Sequence, residues 1–243
     1  MSDTLKNLEH YLAKAVQHYW HTRLKQSTKQ KSSGKADQGS RSAVTGGAQM
    51  DGFIELFSEL LIECGIQKKE ICYNKSLELP GFFRPTKEWD ILLIKDDKLV
   101  IVAEAKSQVG PSFGNNFNNR TEEAMGSALD LWTAYREGAF KQSPQPWLGY
   151  LFMLEDCPGS QSPVRVQEPH FKVFPEFISA SYAKRYELFC QKLIRERHYS
   201  SSAFLISDST NGVNGKYKEP STELQFRQFV QSMIGHASTY VKT

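Results

Sequence analysis

The sequence predicts an α/β fold, a central mixed β-sheet flanked by helices. Three observations carry that expectation. Residues 89–94 and 99–106 are apolar, β-branched runs separated by Lys95-Asp96-Asp97-Lys98, the pattern of a hairpin of neighbouring strands. Residues 147–154 (Trp-Leu-Gly-Tyr-Leu-Phe-Met-Leu) carry no charge, as suits a strand covered on both faces. Apolar residues at helical spacing precede and separate these runs, giving the order helix, strand, hairpin, helix, strand.

From the N-terminus, Leu5, Leu8, Leu12, Ala15, Val16, Tyr19 and Trp20 recur at three- and four-residue spacing and predict a helix over residues 1–24. His10, His18 and His21 fall in it without a coordinating pattern. Residues 25–49 change to Lys, Ser, Gly and Gln and lack the apolar side chains to fold alone. The first 49 residues hold eight Lys and Arg against three acids, a larger surplus than the +3 of the whole chain. Two readings stay open for this flexible basic segment: a solvated linker, or an arm that orders on a phosphate backbone and releases counterions. Gly46-Gly47 ahead of a helix favours the second, since backbone N–H groups there could meet a phosphate.

Residues 50–243 read as a single domain. It opens with a helix over 50–64, with Phe53, Ile54, Phe57, Leu60 and Leu61 on one side, Asp51 in the first turn and Gly65 as its stop. Glu55, Glu59 and Glu63 share a row, which marks open solvent or a cation nearby. Residues 70–73 read as a short strand and 80–85 as a turn. Residues 109–119 lack periodicity and read as a loop, before a helix over 121–135 capped by Thr121. Tyr182, Tyr186, Phe189 and Leu193 mark a helix ending near Arg197, whose other side bears Lys184, Arg185, Lys192 and Arg195. Residues 203–207 read as a strand, 210–220 as a turn region and 222–236 as a closing helix.

At 243 residues the chain can bury a substantial core. A net charge of +3 means that nucleic-acid affinity must come from locally clustered charge. Four scattered cysteines without a CxxC predict reduced thiols, Cys64 and Cys72 being at most a local pair. No apolar run has membrane-spanning length and the N-terminus has no signal-peptide core, so a cytoplasmic protein without a membrane partner is expected. GxxxxGK[ST] and GxGxxG are both missing, which sets aside nucleotide-driven and dinucleotide chemistry.

The chemistry gathers at one end of the hairpin. A strand apolar from Leu99 to Ala103 should not end in Glu104 and Lys106 without cause, because buried charges are costly unless paired or coordinated. Residues two apart share a face, and folding the hairpin brings Asp90 towards Glu104. Acid-x-Lys triplets are commonly solvated surface pairs. The acid opening the partner strand and the fully apolar run between favour a site instead. Two carboxylates and a lysine there can hold a hard divalent cation and position a water.

Asp90-(x13)-Glu104-x-Lys106 resembles the PD-(D/E)xK nuclease superfamily, with Trp89 in the place of the proline. Residues 80–90 (PGFFRPTKEWD), 106–124 (KSQVGPSFGNNFNNRTEEA) and 46–53 (GGAQMDGF) are similar to the XhoI-type restriction endonucleases. That resemblance implies a restriction-endonuclease-like core with helical additions and a Mg²⁺-dependent type II enzyme cutting duplex DNA at CTCGAG after the first C. It also implies a homodimer on a palindromic site and a cognate DNA methyltransferase protecting the host. Asp90, Glu104 and Lys106 would be catalytic. Asp90, Glu104, the Ala105 carbonyl and, from the first core helix, Glu55 would hold metal. Gln108, Asn115, Asn116, Asn118, Asn119 and Arg120 are the candidates for DNA contact, since Asn pairs with adenine and Arg with guanine in the major groove. A repair or junction nuclease and a DNA-binding module without turnover remain the alternatives.

Overall fold

The computed structural model describes residues 3–32 and 47–241. After a short helical turn, α1 (Leu8–Ser32) leads to α2 (Asp51–Glu63) and then β1 (Ile71–Cys72). A ribbon of β2 (Glu78–Pro80) and β3 (Thr86–Glu88) precedes the hairpin of β4 (Ile91–Lys95) and β5 (Lys98–Gln108). There follow α3 (Phe113–Arg136), β6 (Trp147–Glu155), α4 (Tyr182–Arg195), β7 (Ser201–Ser207) and α5 (Phe226–Ser238).

The main sheet has the order β1-β4-β5-β6-β7. β1, β4 and β5 run antiparallel, while β5-β6 and β6-β7 are parallel, so the sheet is mixed. The parallel strands are apolar on both sides because helices cover both faces. Ile101, Ala103, Leu151, Met153, Ala203 and Leu205 pack with α1, α2 and α5. Val102, Leu148, Tyr150, Phe152, Leu154 and Phe204 pack with α3 and α4. The β4-β5 connection is tight: Asp96 and Asp97 both have positive φ, the conformation of a type I′ hairpin turn.

Three elements differ from the sequence expectation. The first helix runs on to Ser32 instead of stopping at Leu24, since Lys and Gln are good helix formers and need no burial to continue it. The rest of the basic segment, residues 33–46, lies outside the described residues, Gly46 included. The expected turn is present over residues 81–85, but the ribbon β2-β3 that flanks it was not expected; its exposed, charged Glu78 and Glu88 give no apolar alternation to read. The Asn-rich stretch is helical, and α3 begins at Phe113. Asn and Gly are weak helix formers, and packing overrides them here. Phe113 stacks on Tyr182 and Phe117 meets Tyr186 edge-on, one turn apart. Gly114 permits the close approach, because a Cβ there would come within 2.7 Å of the Tyr182 hydroxyl oxygen. Thr121 is therefore internal and donates to the Phe117 carbonyl.

All four cysteines are free. Among the described residues no helix is long and apolar enough to cross a membrane.

Candidate active site

The hairpin register places the expected residues together. Ile91 pairs with Ala103 and the Asp90 N–H donates to the Ala103 carbonyl at 3.2 Å, so Asp90 stands across from Glu104. The Lys106 ammonium lies 3.2 Å from Asp90 Oδ2 and 3.4 Å from Glu104 Oε1, bridging the acids. Asp90 Oδ2 also accepts the Ala105 N–H at 2.8 Å, which fixes the carboxylate against β5.

Burial distinguishes the two acids. The Asp90 side chain is 32% exposed and the Glu104 side chain 4%. Burial by itself pushes the Glu104 carboxyl up, but the ammonium groups of Lys106 and Lys87 more than offset it and hold the carboxyl below its ordinary value. For Lys106 burial works downwards, and the Glu104 and Asp90 charges overcome it, so the ammonium is held above its ordinary value. The ion pair is charged on both sides at neutral pH.

Asp90, Ala105 and Lys106 open onto a cavity of about 420 Å³ that also meets Gln49, Asp51, Glu88, Ser107 and Arg120. Asp51, at the start of α2, is a carboxylate that the sequence marks only as a helix-end charge, two residues past the expected end of the basic segment. Glu55, the expected helix acid, is a correction. It is exposed and faces a different cavity with Tyr11, Lys14 and His18, because the side of α2 one turn on is turned towards α1.

The residues expected to touch DNA separate into three groups. Arg120 lines the main cavity and pairs with Glu123 at 2.7 Å. Asn116 borders an adjoining hollow with Arg23 and Arg120, and Asn115, Asn118 and Asn119 are exposed on the same helical turns. Gln108 lines the same hollow but is largely buried: it accepts a hydrogen bond from Tyr186 and donates to the Ser112 carbonyl, so it braces the start of α3.

The donor set fits a hard divalent ion. Asp90 and Glu104 supply oxygen ligands only, the Ala105 carbonyl is adjacent, and an ammonium already bridges the two carboxylates as a cation would. Among the described residues no three acid, His or Cys side chains converge on one point. A cation here would keep several waters, as Mg²⁺ does.

A second anchored feature lies beside the site. Asp130 of α3 is buried and accepts the Phe82 and Phe83 N–H groups at 2.7 and 2.8 Å and Arg84 Nε at 2.7 Å. It fixes the tip of the β2-β3 ribbon, from which Phe82 and Phe83 project into solvent.

The model of the restriction endonuclease XhoI family matches residues 29–219, well beyond the segments within 46–124 that carry the sequence resemblance. The type II restriction enzyme BstVI of Geobacillus stearothermophilus is 55% identical over 212 residues, covering 85% of this chain and 94% of the relative. AbrI of Azospirillum brasilense, also a type II restriction enzyme, is 50% identical over 71% of this chain and 78% of its own length. XhoI of Xanthomonas vasicola is 49% identical over 66% of this chain and 65% of its own. No solved structure matches. A mixed sheet carrying Asp90, Glu104 and Lys106 at one end of its hairpin, with sequence identity of this extent, places the chain in the XhoI restriction endonuclease family.

Proposed function

We propose that Asp90, Glu104 and Lys106 are the hydrolytic centre of this restriction endonuclease, acting on duplex DNA at CTCGAG after the first C and leaving 5′-phosphate ends. The observation that carries the reading is the single ammonium of Lys106 within 3.4 Å of both facing carboxylates at the mouth of the cavity. Asp90, Glu104 and the Ala105 carbonyl would hold a Mg²⁺ ion, which would supply charge neutralisation at the phosphate and acidify a water. Asp90, the more exposed acid, presents its carboxylate to the cavity, while Glu104 holds its own from behind. Lys106 stays protonated and acts through its field: it orients the attacking water and faces the charge that develops on the phosphate. Asp51 adds a further negative charge to the wall of the same cavity.

Arg120 and the Asn115, Asn116, Asn118 and Asn119 amides are the groups we assign to DNA contact, Arg120 nearest the scissile bond. A palindromic site calls for two-fold symmetry, so we assign a homodimer with one half-site per subunit. A cognate methyltransferase would then protect the host's own sites.

A plasmid bearing one CTCGAG, incubated with Mg²⁺ or with a chelator, tests the reading. Linearisation at that site in Mg²⁺ alone is the expected result. Smearing would point to a nuclease of other specificity, and a retained gel shift without cutting to a binding module.

A further inference from the structure

Glu104 has a second lysine, and it is the closer one. Lys87 on β3 donates to Glu104 Oε1 at 2.6 Å, against 3.4 Å for Lys106. The same ammonium donates to the Glu88 carbonyl at 3.0 Å and lies 4.3 Å from the centre of the buried Trp89 ring, a cation–π distance. Its side chain is 13% exposed, half as much as that of Lys106. Three partners therefore hold Lys87 in one place.

The other carboxylate oxygen of Glu104 is not open either. Tyr199 brings its hydroxyl to within 3.4 Å of Oε2 and donates to the Ala124 carbonyl at 3.1 Å. Tyr199 is buried, so no solvent reaches Glu104 from that side. A buried carboxylate needs a counter-charge. Two ammonium groups here balance two carboxylates charge for charge. A divalent cation approaching from the cavity meets a neutral cluster in which Oε1 is already taken.

We propose that Lys87 is a resident counter-ion of Glu104, a positioning residue that keeps this carboxylate aimed before a divalent cation binds, and that competes with the cation for Oε1. The inference rests on the reading of Asp90 and Glu104 as cation ligands. It assigns Lys87 a task distinct from that of Lys106: Lys106 touches both acids and faces the cavity, whereas Lys87 reaches Glu104 alone and from the ribbon side. Moving Lys87 off Oε1 costs the cation part of its binding energy. The negative phosphate of bound DNA restores the balance and favours the exchange.

Ca²⁺ titrated calorimetrically into the DNA-free protein reads this competition without turnover. Lys87→Met should bind Ca²⁺ at least ~fivefold more tightly than the parent, because a like charge has left the site. Thermal unfolding of this variant should also rise more on Ca²⁺ addition. Lys87→Arg, which keeps the charge, should stay within about twofold of the parent. If Lys87→Met does not fold without the ion, Lys87→Gln is titrated in its place, with tighter binding again expected. A folded neutral variant with unchanged or weaker Ca²⁺ affinity overturns the proposal. Glu104→Gln separates the two layers: its loss of Ca²⁺ binding beside an unchanged Lys87→Met sinks only the role of Lys87. Parent-like Ca²⁺ binding by Glu104→Gln sinks the cation reading as well.

Discussion

Glu104 and Asp130 are buried acids kept ionised by their neighbours, and both set the response to pH. Burial raises each carboxyl; the Lys106 and Lys87 ammonium groups lower Glu104, and the Phe83 N–H, the Arg84 guanidinium and the Phe82 N–H lower Asp130, with a net downward shift in both. A carboxyl whose folded value is depressed contributes stability that is present above its unfolded value, roughly 4, and is lost as pH falls through the folded value. Lys106 is the converse: its contribution is present below roughly pH 10 and lost as pH rises through its raised folded value. Urea unfolding at pH 7, 5 and 3 should therefore show stability falling at the acid end, and falling less in Asp130→Asn. Equal acid losses in parent and variant would remove Asp130 from the effect. Asp90, Glu104 and Lys106 were legible in the sequence because charges at the end of an apolar strand have to be explained. The direction in which Glu55 faces was not legible, because it depends on which helix packs over it, which strand spacing does not encode. Lys87 escaped notice since it reaches the site from a ribbon whose own strands carry little pattern.

At the scale of elements, α3 joins the sheet to the residues proposed to contact DNA. Its first turns contain Gly and four Asn and would not hold as an isolated helix. Phe113 is buried against Tyr182, while Phe117 and Gln108 both meet Tyr186, so aromatic packing fixes the direction in which Asn115 to Arg120 point. Phe113→Ala should cost about 3 kcal/mol in equilibrium unfolding. A loss under ~1 kcal/mol would mean that this end of α3 is held by something else. Arg120→Ala should weaken binding to a cognate duplex in Ca²⁺ by about tenfold or more, as expected for one specific side-chain contact. Fluorescence anisotropy measures this, and unchanged affinity would exclude Arg120 from the interface. The hairpin and the apolar strands were readable because residues covered on both faces leave long uncharged runs. The Asn-rich helix was not, because its stability comes from two aromatic contacts with a segment some seventy residues away in sequence.

At the scale of the whole molecule, helices cover both faces of the sheet and leave one end of the β4-β5 hairpin open to a cavity with acids and cations in close balance. The fold class followed from the order of elements. The cavity lining did not, since Asp51, Glu88 and Arg120 come from three separate elements. Sedimentation velocity on the protein with a palindromic duplex should give two chains per duplex, and one chain per duplex at every concentration would refute the two-fold arrangement. The most direct test compares Glu104→Gln with the parent on a CTCGAG duplex, reading single-turnover cleavage in Mg²⁺ and binding in Ca²⁺ on the same preparation. Cleavage should fall at least ~10³-fold while the duplex is still bound. Cleavage within a few-fold of the parent would show that the hydrolytic centre lies elsewhere.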